Sequence, residues 1–205
     1  QVLRELDERL KYLRGLDEQR EKVRAAVEEQ GAMTPELAAA LDAAVTMTEI
    51  DDLYRPYRPK RRTRASMAKE RGLQPLADAL YAQERSSADP LTMAAAYVDP
   101  EKGVETAQDA LQGAEDILAE QISDDAAVRK RLRFVCMANG SLAAKAATEA
   151  DSVYRLYYDF REPLSRIAGH RVLAINRGER EELLKVSVEF DRDKAMRIIE
   201  SEQVR

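Results

Sequence analysis

Residues 52–73 read DLYRPYRPKRRTRASMAKERGL, and this stretch separates two groups of predicted helices. Pro56 and Pro59 each push the residue before them out of the helical region of backbone space. A short helix over residues 48–54 must therefore end near Tyr54, and we expect the following residues to begin in an extended conformation.

The second half of the same stretch carries the signals of a new helix and a tight turn. Thr63 can cap a helix through residue 71, and Gly72 can close that helix in the left-handed region. Pro75 favours the first turn of a further helix that runs to about residue 83. We predict a compact helix-turn-helix-like unit over residues 46–85.

Residues 55–71, here called the basic segment, concentrate positive charge in an acidic chain. The chain has 33 basic and 38 acidic side chains, a formal charge of −5, of which the segment contributes +7 and the remainder −12. An acidic remainder repels a polyanion from the other faces. The segment holds one acid, Glu70, and eight basic residues: Arg55, Arg58, Lys60, Arg61, Arg62, Arg64, Lys69 and Arg71.

Two partners suit these side chains. Cations that neutralise phosphates release counterions, which predicts sequence-independent binding of RNA or DNA, and Tyr54 and Tyr57 could stack on bases, although tyrosines more often pack in a core. Arginine pairs equally well with carboxylates, so the segment could instead be pinned to the protein's own acids. The candidate nucleic-acid-binding residues are Arg55, Arg58, Lys60, Arg61, Arg62, Arg64 and Lys69.

The regions before and after this stretch also predict helices. Leucines at positions 3, 6, 10 and 13, followed by Val23 and Val27, predict a helix over 1–30 with a possible interruption near Gly15. Gly31 ends it, and Thr34 with Pro35 starts an antiparallel partner helix. Another pair follows over about 107–122 and up to Asn139, with Ser123 as the predicted cap of the second member.

The last quarter predicts a small β element. Residues 170–175 (HRVLAI) and 184–190 (LKVSVEF) are β-branched runs around a loop centred on Gly178, which predicts a hairpin followed by a short helix. The predicted fold is mainly α, with long antiparallel helices, the helix-turn-helix-like unit and a small β-hairpin near the C-terminus.

Composition and motifs restrict the function classes. The chain has 205 residues, no apolar run long enough for a membrane helix, and one cysteine, Cys136, which suits a cytoplasmic protein without a membrane partner. The single histidine, His170, has no neighbouring nucleophile, and the pairs Asp51-Asp52 and Asp124-Asp125 suggest solvated helix ends. We predict no enzyme activity, catalytic site, metal or cofactor.

Four stretches in chain order resemble the Tex family of bacterial transcription accessory proteins, which are similar to eukaryotic Spt6. Residues 52–73 are the most distinctive part, and the resemblance extends over 3–41, 49–80, DPEKGVETAQDALQGAEDILAEQISDDAAVRKRLR (99–133) and YYDFREPLSRIAGHRVLAINRGEREELLKV (157–186). Ala168-Gly169 departs from the Pro-Ser expected before His170. Because Gln1 stands inside a helical pattern, we expect the chain to be a fragment.

The resemblance implies a domain organisation and a function. Residues 1–165 would be the family's N-terminal helical region, and 166–205 would lead toward an RNase H-like domain resembling YqgF. An S1 domain, credited with most nucleic-acid binding in the family, would lie further on. The implied function is non-catalytic binding of RNA or DNA together with the transcription machinery. The alternative is a helical scaffold that docks the other domains and a protein partner.

Overall fold

The computed structural model describes residues 2–59, 61–84, 88–148 and 151–204. Within them the chain is mainly α-helical, as predicted. Its elements in chain order are α1 (Val2–Glu29), α2 (Pro35–Ala43), α3 (Met47–Tyr54), α4 (Arg64–Glu70), α5 (Gln74–Ala82), α6 (Pro90–Ala94), α7 (Ala107–Asp124), α8 (Ala126–Asn139), β1 (Ser141–Ala146), β2 (Asp159–Pro163), α9 (Gly169–Arg180), β3 (Leu184–Glu189) and α10 (Arg192–Gln203). None of the described helices has both the length and the apolar character needed to cross a membrane. They form two compact units, one mainly of residues up to Arg129 and the other of Lys130–Gln203.

The first unit contains two apolar cores. The helical hairpin begins as predicted, because Thr34 accepts a hydrogen bond from the backbone N–H of Leu37 and Pro35 follows it. α1 continues without interruption past Gly15, so the break considered there does not occur. The first core is formed where α2 and α3 pack on the later half of α1, and its buried residues are Leu16, Val23, Val27, Leu41, Ala44 and Ile50.

The beginning of α1 lies outside this core. Its helix forms as the leucine spacing predicts, but the apolar side chains remain 39–81% exposed: Val2, Leu3, Leu6, Leu10 and Leu13. The hydroxyl of Tyr12 accepts a hydrogen bond from the Met47 backbone N–H, so α3 reaches α1 only from about this position onward.

The second core joins α4, α5, α6 and α7. Thr63 caps α4 and Gly72 adopts φ 84° after its end, both as predicted, and Ser66 completes a reciprocal capping box with Thr63 that was not predicted. α7 passes close to this turn because Gly113 has no side chain, and a Cβ there would collide with Leu73. The buried members include Ala65, Ala68, Leu73, Leu76, Ala110, Ala114 and Ile117.

The corner between α7 and α8 differs from the prediction. Ser123 does not cap α8, because α7 continues to Asp124. Asp125 caps it instead, and its Oδ1 accepts a hydrogen bond of 2.8 Å from the backbone N–H of Val128. Serine and aspartate are both good caps, so the sequence pattern alone could not choose between two candidates that lie two residues apart.

The second unit contains a three-stranded antiparallel sheet in the order β2-β1-β3. The small β element near the C-terminus is thus confirmed, and the strand predicted over 184–190 forms as β3. The central strand β1 has the sequence SLAAKA and was not predicted, since alanine has a low β-propensity. Ala144 lies opposite both Phe160 and Val186 and is 1% exposed, so a small residue fits between the two neighbours.

The strand predicted over residues 170–175 is wrong, because these residues belong to α9. Ile175 and Gly178 are buried at a three-residue spacing, which is helical. The apolar run 172–175 has four residues, which are too few to distinguish the helical period from the strand period. Gly178 lies inside α9 rather than at the centre of a loop. A Cβ at this position would stand 2.7 Å from Leu184 Cδ1 and 3.1 Å from Tyr154 Cγ, so the glycine allows α9 to approach β3.

We expect Gly178→Ala to destabilise the protein by about 1–2 kcal/mol, because the overpacking cost exceeds the helix-propensity gain of alanine. Gly169→Ala is the matched control, since nothing lies within 4 Å of a Cβ at the other glycine of α9. Urea unfolding followed by circular dichroism measures both. A Gly178→Ala variant as stable as Gly169→Ala would contradict the close approach.

Candidate nucleic-acid interface

The basic segment connects α3 to α4. Arg55–Tyr57 first form one turn of 3-10 helix, so the extended conformation predicted after Tyr54 begins only at Arg58, with ψ 137°. The 3-10 turn tolerates Pro56 because the first residues of a helical turn donate no internal hydrogen bond. The remaining residues lead to the cap at Thr63 and into α4.

α7 presents a row of carboxylates to this segment. Asp116, Glu120 and Asp124, here called the acidic stripe, recur at four-residue intervals and therefore share one helix face. Their side chains are only 16%, 18% and 8% exposed. A groove of about 470 Å³ lies between the stripe and the basic segment, and Arg55, Arg58 and Arg64 line its other side.

Each member of the acidic stripe pairs with a cation of the basic segment. Arg55 Nε donates to Asp124 Oδ1 at 2.7 Å. Lys69 Nζ lies 3.8 Å from Glu120 Oε1, and Arg64 Nη2 lies 3.5 Å from Asp116 Oδ1. The short contact of Arg55 with the buried Asp124 carboxylate is a hydrogen-bonded ion pair, whereas the two longer contacts are looser electrostatic pairs.

Arg58 is turned back toward α3. Its Nη2 lies 2.6 Å from Asp51 Oδ1, and its guanidinium carbon lies 5.4 Å from the ring centre of Tyr54. Tyr54 and Tyr57 are partly buried against the first core, where tyrosines were expected to pack. Their rings are thus committed to the protein interior and offer little surface for stacking on bases.

Three arginines of the segment extend into solvent. The side chains of Arg62 and Arg64 are 74% and 81% exposed, and Arg62 comes no closer than 4.0 Å to Glu70. Arg61 is exposed and forms no ion pair with the described part of the chain. Lys60, also predicted as a contact, lies outside the described residues. We call Arg61, Arg62 and Arg64 the outward arginines.

Two aspartates predicted to be solvated helix ends are instead buried. Asp52 and Asp124 are 5% and 6% exposed. Asp52 Oδ1 on α3 accepts a hydrogen bond of 2.7 Å from Arg129 Nε on α8. In the opposite direction, Arg55 at the end of α3 donates to Asp124 on α7. A buried carboxylate keeps its charge only with such a partner. The two ion pairs form a clasp between α3 and the α7–α8 corner.

Other candidate functions receive less support from the geometry. α5, which is the second helix of the predicted helix-turn-helix-like unit, contains no lysine or arginine, and Gln74 on it donates to the Asp78 carboxylate at 2.8 Å. Such a helix is poorly suited to reading bases in a major groove. His170 is exposed near the start of α9, not at the start of a strand. The described residues bring together no group of three potential metal ligands.

Comparisons with known proteins agree on one family. The model described as "Tex central region-like" matches residues 85–204. The chain is 41% identical to "Protein tex" of Bordetella pertussis over 195 residues, which are 94% of this chain and 24% of that protein. For "Transcriptional accessory protein Tex" of Neisseria gonorrhoeae, the identity is 38% over 195 residues, 93% of this chain and 25% of the relative. For "S1 RNA-binding domain-containing protein 1" of Pongo abelii, the identity is 30% over 197 residues, which are 91% of this chain and 19% of that protein.

The chain therefore spans about a quarter of the length of the bacterial relatives it matches. The domain boundary expected near residue 165 stays a prediction.

We expect Asp52→Ala to destabilise the protein by about 3 kcal/mol, because it leaves Arg129 without its partner in the clasp. Asp51→Ala is the matched control on the same helix. Its pair with Arg58 is about half exposed on both sides, and such pairs contribute less than about 1 kcal/mol. Urea unfolding measures the difference, and equal losses in the two variants would contradict the clasp.

Proposed function

The chain belongs to the Tex family, and we propose that it serves a cytoplasmic transcription accessory protein as a non-catalytic module that binds the backbone of RNA or DNA. The outward arginines carry this proposal. They lie within four consecutive sequence positions, 61–64, and expose their guanidinium groups on a chain whose remaining charge is negative. The family names support a role in transcription, and one relative is named for an RNA-binding domain.

Binding through these residues would be electrostatic and insensitive to base sequence. Each arginine that contacts a phosphate displaces condensed counterions, so affinity falls as salt rises. Guanidinium groups also bind phosphate oxygens in a bidentate manner. The acidic remainder of the chain favours approach of the polyanion from the side of the basic segment. Tyrosine stacking contributes nothing to this mode, because Tyr54 and Tyr57 pack on the first core.

The other predicted cations have a supporting role in this proposal. Arg55, Arg58 and Lys69 are about half exposed and each has a carboxylate partner, so they hold the segment against α3 and α7. Lys60 remains a proposed phosphate contact on the basis of its sequence position alone. The transcription machinery and the other domains of the longer protein are the further partners we propose.

A helical scaffold is the second candidate function, and the paired cations favour it. If the segment serves only to fix helices, its cations matter through the carboxylates that they bind. The outward arginines then contribute little, because the ion pairs of Arg62 and Arg64 are long, their guanidinium groups are exposed, and Arg61 forms no ion pair with the described residues. The two functions therefore differ in what removal of these three charges would change.

We expect the triple variant Arg61→Gln, Arg62→Gln, Arg64→Gln to bind a labelled single-stranded RNA about tenfold more weakly at low salt. The loss of three phosphate contacts removes charge attraction, and the log–log dependence of affinity on salt should become less steep by about 2. Fluorescence anisotropy over a salt series measures both quantities, and single-stranded DNA serves as a second probe.

The matched control neutralises three exposed cations of α1 through Arg4→Gln, Lys11→Gln and Arg14→Gln. Both triple variants change the net charge equally, so a difference between them reports position rather than overall charge. Wild-type affinity and salt dependence in the outward-arginine variant would reject phosphate binding and leave the scaffold.

A further inference from the structure

We infer that the acidic stripe of α7 competes with nucleic acid for the basic segment, and that Asp116 is the carboxylate that limits the affinity. The inference rests on the proposed function and adds a built-in competitor to it. The stripe reproduces the chemistry of the proposed ligand, because a row of carboxylates and a row of phosphates both offer anionic oxygens to guanidinium groups.

The geometry allows such competition. Four residues of α-helix rise about 6 Å, so the stripe holds three negative charges in a regular row beneath the segment. These charges line one wall of the groove and the arginines line the other. A phosphate that approaches Arg64 from solvent would meet a guanidinium group whose charge is already partly balanced from behind.

The three carboxylates of the acidic stripe differ in their contacts with the rest of the protein. Asp124 belongs to the clasp through Arg55. Glu120 accepts a hydrogen bond of 2.9 Å from the hydroxyl of Thr63, which caps α4, so it also stabilises the fold. Among the described residues of the segment, Asp116 forms an ion pair with Arg64 alone, at 3.5 Å and without a hydrogen bond. Removing its charge should therefore leave the local structure intact.

The Arg64–Asp116 pair is also asymmetric. The Arg64 side chain is 81% exposed and can rotate toward a ligand, whereas Asp116 is 16% exposed and is fixed on the inner side of α7. Arg64 would thus exchange one anionic partner for another, and part of the attraction to phosphate would be lost to Asp116. Such a pair weakens binding without preventing it, because its two groups are 3.5 Å apart and its guanidinium group is mostly exposed to solvent.

The test compares Asp116→Asn with Glu115→Gln in the 205-residue chain. Glu115 is exposed on the neighbouring position of α7, about 100° around the helix, so both variants remove one negative charge but only one acts on Arg64. With labelled single-stranded RNA at low salt, we expect Asp116→Asn to bind about threefold more tightly than wild type and to have a salt dependence steeper by about 0.7. Glu115→Gln should remain close to wild type.

A double-mutant cycle identifies the cation involved. In an Arg64→Gln background, the change Asp116→Asn should no longer increase affinity. A gain that persists without Arg64 would overturn the competition at this pair, because the effect would then come from general charge. Thermal unfolding of each variant verifies that the compared proteins are folded.

The remaining outcomes separate this inference from the proposed function. If Asp116→Asn and Glu115→Gln bind equally while the outward-arginine variant still loses affinity, the competition is rejected and the proposed function stands. If neither wild type nor Asp116→Asn binds RNA or DNA, both are rejected. Detectable binding by Asp116→Asn alone would support both, because the weaker wild-type affinity would then lie below the detection limit.

Discussion

The arrangement of the first unit depends on two arginine–aspartate pairs exchanged between α3 and the α7–α8 corner. Arg55 reaches Asp124, and Arg129 reaches Asp52 in the opposite direction, with N–O distances of 2.7 Å in both pairs. The first core lies on the α3 side of this clasp and the second core on the α7 side. Apolar contacts alone are tolerant of small rotations, whereas buried charges must meet their partners. The clasp therefore fixes where α3 ends relative to α7.

This constraint determines how the basic segment is presented. While Arg55 is held at Asp124, α4 packs against α7, and Arg64 and Lys69 of α4 lie near carboxylates that are one helical turn apart. The cations of the segment thereby fall into two groups, those that are paired with carboxylates and the outward arginines. From the sequence alone, the cations of the basic segment could pair either with the protein's own carboxylates or with phosphates. In the folded chain, pairing involves mainly Arg55, Arg58 and Lys69, which leaves the outward arginines for the proposed contact.

Local signals in the sequence were sufficient for most helix boundaries in the first unit. A capping threonine, a following proline or a left-handed glycine acts within one turn of chain, as Thr34, Thr63 and Gly72 illustrate. The failures involve long-range partners. β1 is a strand because β2 and β3 flank it, and α9 buries Gly178 against Leu184, which no local pattern reveals. The ion pairs of Asp52 and Asp124 join residues about 70 positions apart, so the sequence predicted a cationic site but not its internal anions.

The internal anions also bear on which ligands could displace them. A single phosphate that replaced Asp116 at Arg64 would exchange one ion pair for another, with little change in free energy. A nucleic-acid strand presents many linked phosphates, so contact with one outward arginine raises the effective concentration of the next phosphate at its neighbour. The release of several counterions adds to this effect at low salt. A basic segment backed by its own carboxylates should therefore discriminate against small anions while retaining affinity for a polyanion.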